Sequence, residues 1–249
     1  MKNAKADPNE TRLGQYRYYD LIMALFVAVL LISNIASSAK IIDLGLSVGT
    51  LRLSIDAGTI IFPLSYIFGD ILTEVYGYRR SRRVIWVGFG ISALMTVILW
   101  VIGLLPGEAH WLQRVGQDSY DAILGGVSTG GIIVASIVAY FAGEFSNSYV
   151  LAKMKVWSQG RYLWTRTIGS TLVGEGVDTI LFYFIATLLG VFSWGILWSL
   201  IVTVYVIKVV IEILMTPVTY QIVRRLKIAE DEDYYDYDTN FNSFMLREA

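Results

Sequence analysis

The sequence has no cysteine, a single histidine, His110, and only four prolines in 249 residues. A chain without cysteine cannot form a disulfide, a thiolate metal site or a cysteine nucleophile. A lone histidine also argues against a histidine-rich metal site. The sequence lacks the P-loop, G-x-S-x-G, H-E-x-x-H and Rossmann motifs that mark common nucleotide-binding and hydrolytic sites. We therefore predict that the protein is not an enzyme and has no catalytic residue, metal site or cofactor.

Charge is scarce as well: 16% of the residues are charged and 55% are hydrophobic, whereas soluble domains average about 25% charged. The apolar residues form runs of about 20, the length that a helix needs to cross a lipid bilayer. The sequence therefore predicts an all-α integral membrane protein with six transmembrane helices in one bundle. The predicted spans are Tyr19–Ser38, Thr59–Tyr76, Val84–Leu105, Gly126–Leu151, Leu163–Val191 and Trp194–Val223.

Positive charge is distributed unevenly between the two sides of these spans. Sixteen of the 20 lysines and arginines lie before the first span, around the junctions after spans two and four, or after the last span. Only Lys40, Arg52 and Arg114 lie on the opposite side. The positive-inside rule then places both termini in the cytoplasm. We predict a cytoplasmic segment at residues 1–18, a transmembrane domain at 19–227, and an acidic, aromatic cytoplasmic tail at 228–249 that is disordered or folded back on the domain.

The two longer connections on the opposite side differ in pattern. After the first span, Leu51, Leu53 and Ile55 alternate with polar residues, a period of two that is typical of a strand. We predict a small extracytoplasmic β-hairpin there, which either caps a vestibule or serves as a plain connector. The segment Pro106–Leu124 is predicted to be a loop with solvated charges.

The second span has one polar face. At 100° per residue, Pro63, Tyr66, Asp70 and Glu74 share a side of the helix, and apolar residues lie opposite. We predict that this polar face turns towards the centre of the bundle and that the apolar side faces lipid. The residues predicted to face lipid are Ile61, Leu64, Phe68, Leu72 and Val75.

Apart from Asp20 and Arg166, close to the starts of spans one and five, seven charged residues lie within the predicted spans, and charge inside a membrane indicates a functional site. Six carboxylates opposite one lysine cannot all be ionised in a dry bundle. For Lys208 a structural pair with Glu175 or Asp178 competes with a role in ligand binding, and for Glu74 a bridge to the arginines at 79–83 does so. Asp70 has no cation one turn away and is favoured as functional. The seven are Asp70, Glu74, Glu144, Glu175, Asp178, Lys208 and Glu212.

Several motifs are similar to those of a known family. They are SNIASSAKI in the first span, D-A-G-x-x-x-F-P at the start of the second, D-x-x-x-E-V-Y-G-x-R-x-x-R at its end, and GSTLVGEGVDTILFYFIA further on. With these motifs the chain resembles the queuosine precursor transporter family, also called the vitamin uptake transporter group, from Tyr19 to Lys227. The resemblance implies a bacterial inner-membrane carrier that imports 7-cyano-7-deazaguanine (preQ0) and 7-aminomethyl-7-deazaguanine (preQ1).

A 7-deazaguanine suits the polar faces of the spans. Its N1–H and 2-amino group donate to a carboxylate, its O6 and N3 accept from an amide or ammonium group, and its ring stacks on aromatic side chains. Glu74 and Glu212 are assigned structural or coupling roles, since intramembrane acids also suit proton coupling. The predicted substrate-binding residues are Asn34, Tyr66, Asp70, Tyr140, Glu144, Asn147, Glu175, Asp178, Phe182 and Lys208.

Two other functions stay open at this stage. The family is similar in architecture to the substrate-binding S components of energy-coupling-factor importers, which need a separate energising module. Paired carboxylates also fit an intramembrane enzyme. The expected partners are a small nucleobase-like molecule and the lipid bilayer, without nucleic acid, and a homo-oligomer is compatible with the sequence.

Overall fold

The computed structural model describes residues 16–48, 51–128 and 131–245, so most of the predicted N-terminal segment lies outside it. The protein is mostly helical, with one two-stranded antiparallel sheet among the described residues. A 3₁₀ turn at Trp194–Ile196 precedes the last helix. The elements are α1 (Tyr19–Ala39), β1 (Ile41–Val48), β2 (Leu51–Asp56), α2 (Gly58–Ile61), α3 (Pro63–Tyr76), α4 (Tyr78–Leu104), α5 (Ala109–Arg114), α6 (Gln117–Ser128), α7 (Gly131–Trp157), α8 (Leu163–Leu188) and α9 (Leu197–Glu230).

In the described part of the chain, five helical segments are long and apolar enough to cross a membrane. The protein is therefore a multi-pass membrane protein. Helix α7 takes the place of the predicted fourth span and has 27 residues, but Glu144 and Asn147 interrupt its apolar sequence and it is not one of the five. The sixth span thus stays a prediction. The five segments are Tyr19–Ala39, Gly58–Tyr76, Tyr78–Leu104, Leu163–Leu188 and Trp194–Glu230.

Several predicted boundaries are wrong. The basic residues at 79–83 form the first turns of α4 rather than a loop. Gly77 adopts φ +84°, a conformation that glycine tolerates, and this single residue separates α3 from α4. The predicted loop after α4 contains α5 and α6, and the Glu108 side chain caps α5 by accepting from the Trp111 N–H. Helix α9 continues through Pro217 to Glu230.

The prediction of a lipid-facing side on the second span is also wrong for the C-terminal half of that span. Leu72 and Val75 are completely buried, because α3 packs against α1, α4, α7 and α9. Helix α3 is therefore the central helix of the bundle. Both of its faces meet protein, and its carboxylates, Asp70 and Glu74, lie among other helices.

The β-hairpin is present, with Ile41 opposite Asp56 in antiparallel register. It marks one end of the bundle, called here the hairpin end. At the other end the backbone N–H groups of Arg17 and Tyr18 donate to the carboxylate of Glu230, so the segments that lead into α1 and out of α9 meet. This second end is called the tail end.

Helices α7 and α8 approach closely at two glycines. A Cβ atom on Gly174 would lie 2.6 Å from Cβ of Asn147, and one on Gly143 would lie 2.7 Å from Cβ of Asp178. The absence of these side chains lets the two backbones come together, as small residues do in membrane helices generally. Asn147 and Asp178 are thereby held close to the facing helix.

Candidate functional site

A cavity of about 240 Å³ opens between the helices at the hairpin end. Five of the predicted substrate-binding residues line it: Asn34, Tyr140, Asp178, Phe182 and Lys208. They come from α1, α7, α8 and α9, so side chains that are distant in sequence share one space. The cavity also has residues that the prediction did not include, among them Asp56, Thr59, Phe62, Ser92, Thr179, Tyr183 and Phe192.

An ion pair forms one side of the cavity. The Lys208 Nζ donates to Asp178 Oδ2 at 2.6 Å and lies 3.0 Å from Glu175 Oε2, so the pairing that the sequence left open is present. The same nitrogen lies 4.5 Å from the centre of the Phe62 ring, within the range of a cation–π contact. Asp178 and Lys208 reach the cavity, whereas Glu175 is buried behind them.

The second carboxylate of the cavity, Asp56, already accepts hydrogen bonds from neighbouring residues of the protein. It accepts hydrogen bonds from the Ser37 hydroxyl and from both the backbone N–H and the hydroxyl of Thr59. These bonds tie the end of β2 to α1 and α2. The sequence did contain a signal for Asp56, because it opens the D-A-G-x-x-x-F-P motif, but its position outside the predicted spans hid its part in the cavity wall.

Aromatic side chains form much of the remaining wall. The rings of Phe182 and Tyr183 meet edge to face at 5.0 Å, and Tyr183 and Phe192 lie 5.5 Å apart. Ser92 and Thr179 also belong to the wall, and their buried hydroxyls have no hydrogen-bond partner within the described residues. Sequence reasoning missed Ser92 because α4 carries no charge in its apolar part and gave no sign of facing a polar space.

The other five predicted residues lie deeper in the bundle and do not line the cavity. The Asn147 amide donates to Asp70 Oδ1 at 2.7 Å, and the Tyr66 hydroxyl donates to the Gly174 carbonyl at 3.4 Å. Glu144 lies against the backbone of α3, where a Cβ on Gly69 would be 2.8 Å from its Oε2. The structure therefore divides the predicted site into a cavity and an inner layer of Tyr66, Asp70, Glu144, Asn147 and Glu175.

The acids of the inner layer, and Glu212 on α9, have few hydrogen-bond partners. Both carboxylate oxygens of Glu144 and of Glu212, and Oδ2 of Asp70, are buried without a hydrogen bond in the described part of the protein. Each such group must bind a proton or a cation, or accept a hydrogen bond from water. No group of three or more histidine, cysteine or acidic side chains suited to a metal ion occurs among the described residues.

At the tail end, by contrast, the acidic side chains are paired with cations. Glu74 Oε1 lies 2.7 Å from the Arg166 guanidinium, 2.6 Å from Lys227 Nζ and 3.7 Å from Lys155 Nζ. Asp233 contacts the same two lysines at 2.5 and 2.8 Å. The structural role weighed for Glu74 is thus present, but the cations come from α7, α8 and α9 and not from the arginine-rich start of α4.

A family model described as "Putative vitamin uptake transporter" matches residues 56–222. A protein of Bacillus subtilis (strain 168) named "Probable queuosine precursor transporter" is 25% identical over 169 residues, which are 68% of this chain and 71% of that protein.

Two further relatives are similar over shorter stretches. The "Queuosine precursor transporter" of Escherichia coli (strain K12) is 26% identical over 61% of this chain and 63% of its own length. A "Probable queuosine precursor transporter" of Haemophilus influenzae is 24% identical over 52% of this chain and 50% of its own length. No solved structure matches the chain.

Proposed function

We propose, from the premise that the chain belongs to the vitamin uptake transporter family, that it imports queuosine precursors across a bacterial inner membrane. The family supports transport of a small molecule by a protein embedded in a membrane. The names of the relatives support the substrate class. The finer proposal is that preQ0 and preQ1 bind in the hairpin-end cavity, and that no catalytic step is involved.

Asp178 is the observation that carries this proposal. It presents a carboxylate to a cavity with aromatic walls, and Oδ1 receives no hydrogen bond among the described residues. A carboxylate at the edge of a flat apolar space can accept the N1–H and 2-amino donors of a 7-deazaguanine. Phe182 and Tyr183 offer surfaces for the ring, and the Asn34 amide can meet its acceptor edge.

The orientation of the protein in the membrane follows from the distribution of positive charge. Most of the lysines and arginines lie at or beyond the tail end of the helices, and the positive-inside rule places that end in the cytoplasm. In this orientation α7 serves as the sixth span, both termini are cytoplasmic, and the cavity faces outwards. A ligand from outside then meets the hairpin, the cavity and the inner layer in that order.

Proton coupling is part of the same proposal. Asp70, Glu144 and Glu212 lie between the cavity and the tail end. Both oxygens of Glu144 and of Glu212, and Oδ2 of Asp70, have no hydrogen-bond partner among the described residues. Carboxylates in such surroundings can bind and release protons during a transport cycle, as intramembrane acids do in other carriers. We propose that these three groups carry the proton that accompanies the ligand.

The test is uptake of labelled preQ1 and preQ0 by proteoliposomes that contain only this protein, with and without an inward proton gradient. Uptake that rises with the gradient supports a self-sufficient coupled carrier. Asp178→Asn should lower uptake about 100-fold, since a charged hydrogen bond contributes up to about 3 kcal/mol. The matched control is Asp118→Asn, the same exchange at an exposed position of α6.

Other outcomes would overturn the proposal in distinct ways. Binding without uptake would favour an S component, and copurification of a transmembrane partner with ATPases would support that alternative. A chemically altered product without uptake would favour an intramembrane enzyme. Equal uptake by the wild type and Asp178→Asn would remove Asp178 from the ligand site.

A further inference from the structure

The segment after α9 folds back over the tail end of the bundle. Asp231 adopts φ +49° and turns the chain, and residues 232–245 then run back across the neighbouring helices. Residues 231–245 are called here the C-terminal strap. The strap lies outside the residues that the family model matches, so the shared family sequence does not account for it.

Asp233 joins the strap to two helices at once. Its Oδ1 lies 2.5 Å from Lys155 Nζ on α7 and 2.8 Å from Lys227 Nζ on α9. Lys155 also donates to the Tyr234 carbonyl of the strap and to the Glu74 carbonyl of α3. One carboxylate and one lysine thereby connect α3, α7, α9 and the strap.

The junction between α3 and α4 forms the second attachment. The Tyr234 N–H donates to the Val75 carbonyl, and the Tyr78 N–H donates to both oxygens of Asp236 at 3.1 Å. Asp236 thus satisfies a backbone donor at the start of α4. The Tyr234 ring occupies the space beside Gly77, where any Cβ would collide with it.

The far half of the strap covers α4 and α7. The Arg82 guanidinium donates to the carbonyls of Asn240 and Asn242, and the Trp86 indole N–H donates to the Ser243 carbonyl. The Phe241 ring packs against Tyr78 and Tyr149, at 5.0 and 5.2 Å between ring centres. These contacts continue the line of attachment to the end of the described chain.

The strap therefore connects helices that must separate before a ligand can pass. A ligand that moved from the inner layer to the tail end would pass between α3, α4, α7, α8 and α9. The strap contacts α3, α4, α7 and α9, and Glu74 ties α8 to α3 through Arg166. We infer that the C-terminal strap is the inner latch of the carrier, and that its release opens the tail end. This inference rests on the proposed function for its direction only.

The exposure of Asp233 makes the latch reversible. Its side chain is 43% exposed, whereas Glu74 in the cluster below it is fully buried. Ion pairs of exposed groups are weak and are screened by salt. The Asp233 ion pairs can therefore break at low cost while Glu74 continues to hold α3, α8 and α9, and the main cost of release is the exposure of Asp236, which is buried in the docked strap.

The test uses the absence of cysteine from the chain. Ser148→Cys places one thiol in a buried position, where Ser148 contacts Thr73 and Ser81 between the inner layer and the strap. A membrane-impermeant maleimide is added to the tail-end face of the full-length protein in vesicles. Labelling should be slow, and a chain ending at Glu232 should label at least about tenfold faster, since it lacks every contact made by residues 233–245.

Point variants measure how much the Asp233 ion pairs contribute to the labelling rate, apart from the effect of removing the whole strap. Asp233→Asn in the same background should raise the labelling rate about two- to fivefold, as expected for a half-exposed ion pair. The matched control is Asp238→Asn, the same exchange at an exposed position of the strap, which should leave the rate unchanged. Equal labelling of the full-length and shortened chains would overturn the inference.

A second measurement locks the strap instead of removing it. Tyr149→Cys and Phe241→Cys place two thiols at side chains that touch, and a short reducible linker joins them. Uptake should fall on linking and return on reduction, and unchanged uptake by the linked protein would refute the latch. Thiol labelling needs no substrate, so it tests the strap even if preQ1 is the wrong ligand. If the protein takes up preQ1 but the full-length and shortened chains label equally, the role of the strap is refuted and the proposed function is not.

Discussion

The two ends of the bundle use the same residue types in opposite ways. At the hairpin end, Asp178 and Glu175 share one lysine beside an open cavity, and buried hydroxyls of Ser92 and Thr179 have no described partner. At the tail end, Glu74 and Asp233 meet three cations, and the strap covers the space beside them.

This difference shows that an intramembrane carboxylate is not a ligand site by itself. Its role depends on how many cations reach it and whether free volume lies next to it. Glu74 has cations on three helices and acts as a structural tie, whereas Asp178 borders a cavity and keeps one oxygen available. Between them, Asp70 and Glu144 have no ion pair within the described part of the chain and do not border the cavity.

The largest effect is expected at the tail end, from Glu74→Gln. The exchange leaves Arg166 and Lys227 without their shared buried charge, and breaking a buried ion pair costs about 3–5 kcal/mol. The free energy of unfolding, measured in detergent, should fall by that amount. Glu212→Gln is the comparison, since it removes a buried carboxylate that has no hydrogen bond to any described residue. An equal loss of stability in both variants would show that the cations around Glu74 do not make it more important for stability than Glu212.

A smaller loss of stability is expected where α7 and α8 cross. Gly174→Ala would bring a Cβ to 2.6 Å from Asn147, and overpacking of this kind costs about 1–3 kcal/mol. Gly176→Ala, on the same helix, adds a Cβ with only an ordinary contact at 3.6 Å to Tyr205 and should be neutral or stabilising. Thermal unfolding of the pair measures the difference, and equal midpoints would refute the close crossing.

Glu212→Gln should alter function more than stability. Because the Glu212 carboxylate accepts no hydrogen bond within the described part of the chain, the free energy of unfolding should change by less than about 1 kcal/mol. Under the proposed proton coupling, uptake should persist but no longer respond to a proton gradient. Uptake that keeps its full dependence on the gradient would exclude Glu212 from the coupling path.

The smallest effect concerns acid and the strap. Burial raises the pKa of Asp236, although the Tyr78 N–H and the Thr239 hydroxyl oppose this. The docked strap therefore binds a proton more readily than the released one. Burial would also raise the pKa of Asp233, but Lys155 and Lys227 outweigh it and lower that pKa, so this contact is lost only below the ordinary value of about 3.9.

Lowering the pH from 7 to 5 should thus favour docking, since the state with the higher pKa gains on acidification. The Ser148→Cys thiol should label no faster at pH 5 than the change in maleimide chemistry accounts for. Asp236→Asn in the same background supplies that correction, because it cannot titrate. Faster labelling of the wild-type strap at pH 5 than of Asp236→Asn would show that the sign is wrong.

Much of the fold follows from hydrophobic runs and local chemistry. The apolar lengths predict the membrane helices, and the alternation at 51–55 predicts the hairpin. The burial of Leu72 and Val75 could not be predicted, since a lipid-facing and a protein-facing apolar surface have the same composition. The helical start of α4 was missed because a run of arginines resembles a loop and gives no sign that Gly77 alone breaks the chain.

The candidate site was predictable in its residue types but not in its depth. Asp178 and Lys208 were found from their charge, and their pairing was foreseen as one alternative. The separation of Asp70 and Glu144 from the cavity depends on how α3 and α7 pack, which the sequence does not specify. Ser92 and Tyr183 were missed because a hydroxyl or an aromatic ring in a membrane helix is common and carries little information by itself.

Pro217 gives α9 a joint. Proline has no N–H, so the carbonyl of Ile213 lacks its usual helical donor, and the helix is weakened there. Lys208 and Glu212 lie on one side of this point and Lys227 on the other. A rigid rod would transmit every tilt of its outer half to its inner half. Under the proposed transport cycle, a helix weakened at Pro217 would let Lys208, beside the cavity, and Lys227, beside Glu74, move at different times. One end of the bundle could then open while the other stays closed.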